Sequence, residues 1–390
     1  MKTAKLKDVA EIVSGATPKT RVAEYWDGDI HWVTPADLSQ LSSAYVSDTP
    51  RRITAAGLNS CAARVLPPNS VLLSSRAPIG HVAINTTPMA TNQGFKSLIP
   101  APGLDSKYLY HWLTFKKDFL KSLGNGATFK ELSRRTTEQI EIPIPPLDEQ
   151  RRIAAILDQA DAIRAKRQQQ LEHYDSLVES VFQSMFSQER SDVTVGEIAA
   201  DAKGSIRTGP FGSQLRHSEF VNSGVAVLGL DNVVGNSFKW GERRYIAKEK
   251  YKTLRRYTVH PGDVLISIMG TVGRCAVVPR NFPLAINTKH ICAITPNQEI
   301  INSSFLRAAF LWHPACRAHL RRQTKGAIMA GLNMGIIKSM PVPLPALERQ
   351  NEFAKVSFTI TTQRHHLQRA LDRDNELFAS LQSRAFRGEL

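Results

Sequence analysis

The chain has 390 residues, and its hydrophobic fraction of 42% and charged fraction of 22% are typical of a globular protein, not of a disordered chain. No stretch approaches about 18 uncharged apolar residues, and the first residues lack the apolar block of a signal peptide, so we expect a cytoplasmic chain without a membrane partner. The four cysteines form no Cys-x-x-Cys pair. We therefore expect free, buried thiols, and neither a zinc site nor disulfide bonds.

The formal net charge of +15 is unevenly distributed. Residues 1–148 carry +4 and residues 191–346 carry +11, whereas residues 149–190 carry −1 and residues 347–390 carry +1. A polyanion, above all nucleic acid, is the natural partner for two strongly basic segments, because cations that neutralise phosphates release counterions. Charge that serves only solubility is the alternative.

Much of the first half of the chain is repeated in the second. The matched blocks are 6–13 with 195–199, 14–20 with 207–214, 29–38 with 225–231, 66–80 with 259–273, and 90–95 with 285–290. Short apolar runs between dense turn signals predict a strand-rich α+β domain in each half. The loops 14–20 and 207–214 have a composition that lets backbone approach a phosphate or base edge, although surface turns of this kind are common. Trp32 is either a core residue or a surface that stacks on a base.

Each half then ends in the same order of elements. Residues 107–123 and 305–320 have helical periodicity, and the loop 124–132 aligns on 325–332. A proline-stiffened run follows at 143–150 and again at 343–350, exactly 200 residues later. Proline disfavours both sheet and helix interiors, so each run predicts a rigid exit from the domain.

A long helix is predicted after each proline run. Apolar residues follow a heptad stripe from Glu149 to about Phe186 and from Phe353 to Ala385. Polar residues interrupt the two stripes midway, at Arg164, Arg167, Gln170, Gln363, Arg364 and Asp374. Neither helix can bury its stripe alone, so we expect them to pair as an antiparallel coiled coil. The alternative is that each helix packs flat on its own domain.

The motifs of common catalytic sites are absent from the sequence. There is no Gly-x-x-x-x-Gly-Lys-[Ser/Thr] phosphate loop, no Gly-x-Gly-x-x-Gly, and no Asp/Asn-Pro-Pro-aromatic tetrapeptide of the kind that holds a flipped adenine. Histidines and carboxylates show no metal-ligand or nucleophile–base spacing. The sequence therefore predicts a non-catalytic chain that recognises its partner.

Several segments resemble the specificity subunits of type I restriction–modification systems. They are Gly15–Pro18, Glu24–Thr34 with Asp37-Leu38, Thr91–Phe95, Gly126–Leu132, Pro143–Ile153 and Ser383–Leu390. The run Pro145-Pro146-Leu147-Asp148-Glu149-Gln150 is the most specific of them. The second copy departs from it, with Ala346 in place of the second proline and a shifted acidic residue.

The resemblance implies an α+β fold of two pseudo-repeated target-recognition domains, residues 1–148 and 191–346, separated by two long helices, residues 149–190 and 347–390. Each domain would read one half of a bipartite, asymmetric sequence in double-stranded DNA, and the helices would set the unread spacer. Two methyltransferase subunits would bind the helical regions and methylate adenine with S-adenosylmethionine that they hold. Added restriction subunits would use ATP and Mg²⁺, and this chain would bind no cofactor or metal.

Chemistry and position select candidate DNA-binding residues, because arginine forks onto guanine edges and lysine suits phosphate. In the first domain they are Thr17, Lys19, Arg21, Arg76, Lys130, Arg134 and Arg135. In the second domain they are Arg207, Ser213, Arg243, Arg244, Lys289 and Lys325. The resemblance places partner binding where the helices begin, at Leu147, Gln150, Ile153, Leu347, Gln350 and Phe353.

Two other classes of function stay open. A stand-alone regulator or DNA-bridging protein would use the coiled coil to dimerise, and it would be stable without a methyltransferase. An enzyme with an unfamiliar site would show turnover by the purified chain.

Overall fold

The computed structural model describes residues 2–41, 43–125, 130–324 and 331–390. The chain forms two compact units. Unit 1 comprises Met1–Gln168 and Arg369–Leu390, and unit 2 comprises Gln169–Gln368. Each long helix therefore contributes one part to each unit.

Unit 1 is built from short strands and helices. Its strands are β1 (Thr3–Lys5), β2 (Ala10–Ser14), β3 (Trp26–Val33), β4 (Tyr45–Val46), β5 (Arg52–Ile53), β6 (Val71–Leu73), β7 (Val82–Asn85), β8 (Met89–Thr91), β9 (Lys96–Pro100) and β10 (Glu141–Pro143). Its helices are α1 (Leu6–Val9), α2 (Pro35–Ser39), α3 (Ala55–Asn59), α4 (Ser106–Phe115), α5 (Lys117–Ser122), α6 (Arg134–Glu138) and the first part of α7 (Leu147–Phe186), with a 3-10 turn at Ala23–Tyr25.

Unit 2 repeats this order of elements with small changes. Its strands are β11 (Val193–Thr194), β12 (Ile206–Thr208), β13 (Phe220–Val221), β14 (Val225–Leu228), β15 (Arg244–Ile246), β16 (Thr258–Val259), β17 (Val264–Ser267), β18 (Cys275–Val277), β19 (Ala285–Asn287), β20 (Ile291–Ile294) and β21 (Pro341–Val342). Its helices are α8 (Val195–Ile198), α9 (Lys248–Leu254), α10 (Ser303–Trp312), α11 (Pro314–Thr324), α12 (Met334–Lys338) and the first part of α13 (Leu347–Arg387), with 3-10 turns at Gly212–Gln214, His217–Glu219, Leu230–Asn232 and Arg255–Tyr257.

Each unit contains one sheet that is buried on both faces, with five strands in unit 1 and four in unit 2. In unit 1 the strand order is β2-β9-β6-β7-β4, and in unit 2 it is β12-β20-β17-β18. Val71 and Leu73 of β6 pack into the cluster that contains α4, whereas Leu72 packs into the cluster on the opposite face. Burial on both faces explains why β6 is a continuous apolar run instead of an alternating one.

A second sheet in each unit contains a parallel pair of strands. The order is β5-β3-β8 in unit 1 and β13-β15-β14-β19-β16 in unit 2. Strands β3 and β8 are parallel, with Val33 opposite Thr91, and β14 and β19 are parallel, with Leu228 opposite Asn287. The predicted fold of two repeated α+β domains with two long helices is confirmed.

The long helices pair antiparallel within each unit. In unit 1, Arg167, near the end of the unit 1 part of α7, forms an ion pair with Asp374, near the start of the unit 1 part of α13. Arg152, near the start of α7, donates a hydrogen bond to the carbonyl of Leu390, which follows α13. In unit 2, Arg364 contacts Asp175, and Arg349 contacts Glu189. Three of the predicted polar interruptions of the stripe, Arg167, Arg364 and Asp374, thus form ion pairs between helices, which fix the helix register.

Parts of both long helices also belong to the domain cores. Ile153 and Leu157 of α7 pack in the main cluster of unit 1, and Phe182 of α7 and Phe353 of α13 pack in that of unit 2. Pairing and packing on the domains therefore occur together. Within the described part of the chain, no helix combines the length and apolarity that crossing a membrane requires.

Candidate nucleic-acid interface

In unit 1 a cleft lies where the parallel strands β3 and β8 end, the edge of a sheet where ligands commonly bind. The backbone there is held by hydrogen bonds: the Thr34 amide donates to Asp37 Oδ2 at 2.7 Å, and the Asn92 amide donates to the Val33 carbonyl at 3.0 Å. This unit 1 cleft has a volume of about 700 Å³ and is lined by Thr34, Pro35, Ala36, Arg76, Ala77, Asn92 and Lys130.

Unit 2 has a cleft at the matching place, after β14 and β19. The same hydrogen bonds recur: the Gly229 amide donates to Asn232 Oδ1 at 2.8 Å, and the Thr288 amide donates to the Leu228 carbonyl at 2.9 Å. This unit 2 cleft has a volume of about 600 Å³ and is lined by Pro210, Gly212, Leu215, Phe220, Gly229, Leu230, Asp231, Glu242, Arg244, Thr288, Lys289 and His290.

Two further loops meet the strand ends in both units. A Cβ atom at Gly15 would overlap the Asn92 carbonyl oxygen, and one at Gly209 would overlap that of Asn287, so only glycine allows the first loop to pack so closely. The amide of Gly80 donates to the Ser74 carbonyl at 3.0 Å, and that of Gly273 donates to Ser267 at 2.9 Å, which shapes the second loop. The two clefts thus share one backbone frame.

The side chains on this frame differ, and the two charged residues that line the unit 1 cleft, Arg76 and Lys130, are both cationic. Arg76 is 37% exposed, with Nη1 3.9 Å from a carboxylate oxygen of Glu131. Lys96, which is buried, lies 3.2 Å from the other oxygen of Glu131, and Lys130 is exposed. Arg76 and Lys130 can therefore offer donors to a guanine edge or a phosphate.

The side chains of unit 2 combine both signs of charge. Arg244 Nη2 donates to Asp231 Oδ1, while Asp231 Oδ2 and Arg244 Nε are buried and have no hydrogen-bond partner among the described residues. Partial burial, and then the charges of Lys289 and Arg244, lower the pKa of His290, which favours its neutral imidazole. This cleft offers acceptors as well as donors, as cytosine and adenine amino groups require.

Most other predicted contacts of unit 1 lie on its surface outside the cleft lining. Lys19 and Arg21 are exposed in the loop after β2, and Thr17 is hydrogen-bonded to Gln93. Arg134 pairs with Glu138 at 2.8 Å on α6, where Arg135 is also exposed.

In unit 2, Ser213 and Arg243 are exposed near the cleft, and Arg244 and Lys289 line it. Lys325 lies outside the described residues. Trp32 is buried, so of the two interpretations of this residue the structure supports a place in the core.

The structure places Arg207, a predicted DNA-binding residue, in the interior of unit 2. Its side chain is 7% exposed and forms an ion pair with Asp263, which is fully buried. The guanidinium also donates to the Thr258 carbonyl at 2.7 Å and to Thr295 Oγ1 at 2.9 Å. These partners hold the donors inside unit 2. A buried acid 56 residues away explains why the local sequence did not reveal this role.

Four predicted partner-binding residues are also internal. Ile153 and Phe353 are core residues, and Gln150 and Gln350 are fully buried. Each glutamine makes a hydrogen bond inside its own unit. Gln150 Oε1 accepts from the Asp105 amide at 2.9 Å, and Gln350 Oε1 accepts from the Asn302 amide at 2.9 Å. Leu147 and Leu347 are half-buried.

Sequence reasoning missed several residues that the frame brings together. Asp231, Glu242 and His290 line the unit 2 cleft, and Thr34 and Asn92 line the unit 1 cleft. Arg51 of unit 1 occupies the register position of Arg244, since Arg52 faces His31 as Tyr245 faces Ala226. The repeat itself was the available signal, because the matched strands are followed by the residues that line both clefts.

Comparison with known proteins places this frame in a family. The sequence model of the family described as "Type I restriction modification DNA specificity domain" matches residues 1–173 and 220–370. The MjaIX specificity subunit of Methanocaldococcus jannaschii is 40% identical over 184 residues, which are 47% of this chain and 43% of that protein. The EcoBI specificity subunit of Escherichia coli is 24% identical over 314 residues, 73% of this chain and 66% of that one. The matches thus span less than two thirds of these relatives.

Solved structures share the fold. A chain from a study of assembly and conformational transition in a type I restriction–modification system has a TM-score of 0.63 at 16% identity, covering 100% of this chain and 98% of that one. The type I S subunit of M. genitalium has a TM-score of 0.58 at 14% identity, covering 99% and 96%. With the family model matched over most of the sequence, the chain belongs to the type I restriction–modification DNA specificity family.

Proposed function

We propose that unit 1 reads one half of a bipartite DNA sequence and that unit 2 reads the other half, as the recognition subunit of a type I restriction–modification complex. The observation that carries this proposal is the repeated cleft frame with side chains that are not repeated. A shared backbone would present both clefts to DNA in the same manner, while different side chains would select different bases.

The chemistry of each cleft suggests what it would contact. Arg76 and Lys130 of unit 1 supply donors for guanine O6 and N7 or for phosphate. Asp231 of unit 2 can accept from a cytosine or adenine amino group, and the neighbouring Arg244 can donate to guanine. The two halves of the target should therefore differ, which makes the site asymmetric.

The long helices would set the distance between the two halves and bind the methyltransferase subunits. Helix α7 alone has 40 residues and extends about 60 Å. Several large apolar side chains remain exposed on the helices; they are Ile163, Val356, Phe358 and Leu377, of which Phe358 is 73% exposed. We place the docking surface for the methyltransferase subunits on these exposed residues, because most of the partner-binding residues predicted from the sequence are buried.

Catalysis in this proposal belongs to the partners. Two methyltransferase subunits would hold S-adenosylmethionine and methylate adenine, and restriction subunits would use ATP and Mg²⁺. The chain itself would contribute binding to double-stranded DNA and the geometry of assembly.

Adenine methylation across the genome of a methylation-free host tests the proposal. The chain is co-expressed with the methyltransferase subunit encoded with it, and a control omits the chain. We expect a bipartite motif only when the chain is present, and Asp231→Ala should relax only one half of it. Absence of any motif, although the subunits co-purify, would contradict the proposal and favour a stand-alone DNA-binding regulator.

A further inference from the structure

Unit 2 carries a surface group of aromatic side chains, here called the aromatic ladder, formed by Phe238, Trp240 and Phe282. The rings of Trp240 and Phe282 are stacked, with centroids 5.3 Å apart and planes 5° apart. Phe238 meets both rings edge-on at 5.3 Å and 5.4 Å. Phe238 and Phe282 pack on the core of unit 2, whereas Trp240 is 38% exposed. The core thus supports a tryptophan that faces solvent.

The loop that carries Trp240 is held rigidly. The buried Asn232 closes it, since Nδ2 donates to the Lys239 carbonyl at 2.8 Å and the Lys239 amide donates to the Asn232 carbonyl at 3.2 Å. Arg307 of α10 connects this loop to the helix, because its Nε donates to the Asn236 carbonyl at 2.8 Å. Arg307 is half-buried, and burial lowers its pKa. A surface ordered in advance loses little entropy when it binds.

Among the described residues of unit 1, no group of three packed rings occupies the matching loops, although the rings of Trp26 and Trp32 meet edge-on, 5.1 Å apart, with Arg51 over both. Between β7 and β8 unit 1 has only Thr86, Thr87 and Pro88, whereas the matching connection of unit 2, residues 278–284, is longer and supplies Phe282. Between β3 and β5 the sequence of unit 1 has a single aromatic residue, Tyr45. The aromatic ladder therefore belongs to unit 2, and the shared frame does not require it.

The charged residues around the aromatic ladder, and its position beside the unit 2 cleft, indicate which kind of partner binds it. Exposed cations surround it: Lys239 and Arg280 flank its two aromatic loops, and the guanidinium of Arg243 lies 5.4 Å from the centre of the Trp240 ring. The ladder also adjoins the unit 2 cleft, because Glu242 lines the cleft and Asp231 packs directly against Gly241. An aromatic face beside cations suits the backbone of duplex DNA, in which deoxyribose faces alternate with phosphates.

We propose that the aromatic ladder is a second DNA-contacting surface, on which Trp240 packs against a deoxyribose at the edge of the half-site that unit 2 reads. This inference rests on the proposed function. Trp240 would contribute affinity without choosing a base, because contacts to the sugar–phosphate backbone carry no sequence information directly. Its contribution falls on one half-site only, so the two halves of the target would be bound unequally.

The test compares the wild-type complex of chain and methyltransferase subunit with Trp240→Ala and Trp240→Phe. A matched control is Val234→Ala, which shortens another exposed apolar side chain of the same loop. Affinity for a duplex with the methylated motif is measured by fluorescence anisotropy, and 2-aminopurine placed beside either half-site reports local contact. We expect Trp240→Ala to weaken binding about tenfold and Trp240→Phe much less, with co-purification and both halves of the motif unchanged.

Each other outcome has a distinct meaning. Equal affinities for the wild type and Trp240→Ala would overturn the ladder proposal while leaving the proposed function intact. Loss of co-purification in Trp240→Ala, with Val234→Ala normal, would show that the ladder binds the methyltransferase subunit instead. Failure of the wild-type complex itself to bind DNA or to methylate a motif would refute the proposed function.

Discussion

Two arginines show how the surroundings of a guanidinium decide its role. Arg76 follows β6 and reaches the unit 1 cleft, where its nearest carboxylate is 3.9 Å away and leaves it able to change partner. Arg207 lies in β12 and is enclosed by Asp263 and by further acceptors, which include the Thr258 and Gly204 carbonyls and the Thr295 hydroxyl. Arg76 thus reaches the unit 1 cleft, whereas Arg207 would have to break its contacts inside unit 2 to reach any surface ligand.

Arg76→Ala should weaken binding of the assembled complex to its duplex by about tenfold, because the unit 1 cleft loses a donor that can fork onto a base edge. Binding is measured at two salt concentrations, and the methylated motif is determined in parallel. Arg64→Ala is the control, since it removes an arginine of unit 1 that pairs with Glu11 and is absent from the cleft lining. Unchanged affinity at both salt concentrations would remove Arg76 from the interface.

Arg207→Ala should destabilise unit 2 by about 3–5 kcal/mol, because it leaves the carboxylate of Asp263 buried without its cation. Hydrogen exchange of the full chain, read in β12, β17 and β20, measures the change. Replacing both partners by apolar residues should cost less than Arg207→Ala alone. Arg52→Ala removes a surface ion pair with Asp48 and should leave exchange unchanged. Equal protection in the wild type and Arg207→Ala would contradict a structural role.

At the scale of elements, the proline runs owe their rigidity to an internal glutamine as well as to proline. Gln150 Nε2 donates to the carbonyls of Pro145 and Gly103 at 2.9 Å and 3.0 Å, and Gln350 makes the same contacts with Pro345 and Ile300. Each glutamine thereby ties the start of a long helix to the start of the domain helix α4 or α10. The two similar proline runs thus form the same connection between a long helix and a domain helix, here called the joint.

Gln150→Ala and Gln350→Ala should each destabilise their own unit by about 2–3 kcal/mol, because each leaves one amide and two carbonyls without partners. The loss should appear as faster hydrogen exchange in the first turn of α4 for one variant and of α10 for the other. Gln139→Ala, which removes an exposed hydrogen bond to Lys5, is the control. A large effect at one joint and none at the other would contradict their equivalence.

At the scale of the whole molecule, each long helix runs from one unit into the other. The boundary of the units falls within α7 and within α13, after Gln168 and Gln368. A change of helix length at this boundary leaves both clefts and both proline joints intact. The proposed role of the helices in spacing the half-sites can therefore be tested separately from base reading.

Insertion of seven residues into both helices at this boundary should lengthen the unread spacer of the methylated motif by about 3 base pairs. Seven helical residues add about 10 Å, and a full heptad preserves the phase of the apolar stripe. Methylome sequencing reads the spacer directly, with both half-sites expected to stay the same. Four-residue insertions, which break the phase, serve as the comparison and should impair assembly. An unchanged spacer after the heptad insertion would show that the helices do not set it.

The repeat, the α+β class and the two long helices could be predicted from the sequence because they depend on local patterns. Proline positions, heptad periodicity and matched strand blocks need only neighbouring residues, and the copies at 143–150 and 343–350 show them directly. Arg76, Arg244 and Lys289, which the sequence predicts as DNA-binding residues, line the two clefts.

Only the tertiary structure decided which polar residues are internal and where the clefts lie. The parallel pairing of β3 with β8, and of β14 with β19, joins residues 58 and 59 positions apart, and no local pattern specifies it. Arg207, Gln150 and Gln350 are buried because distant groups supply their partners. Burial depends on what the rest of the chain packs around a residue, so composition and spacing indicate a DNA-binding surface but cannot tell a reading arginine from a structural one.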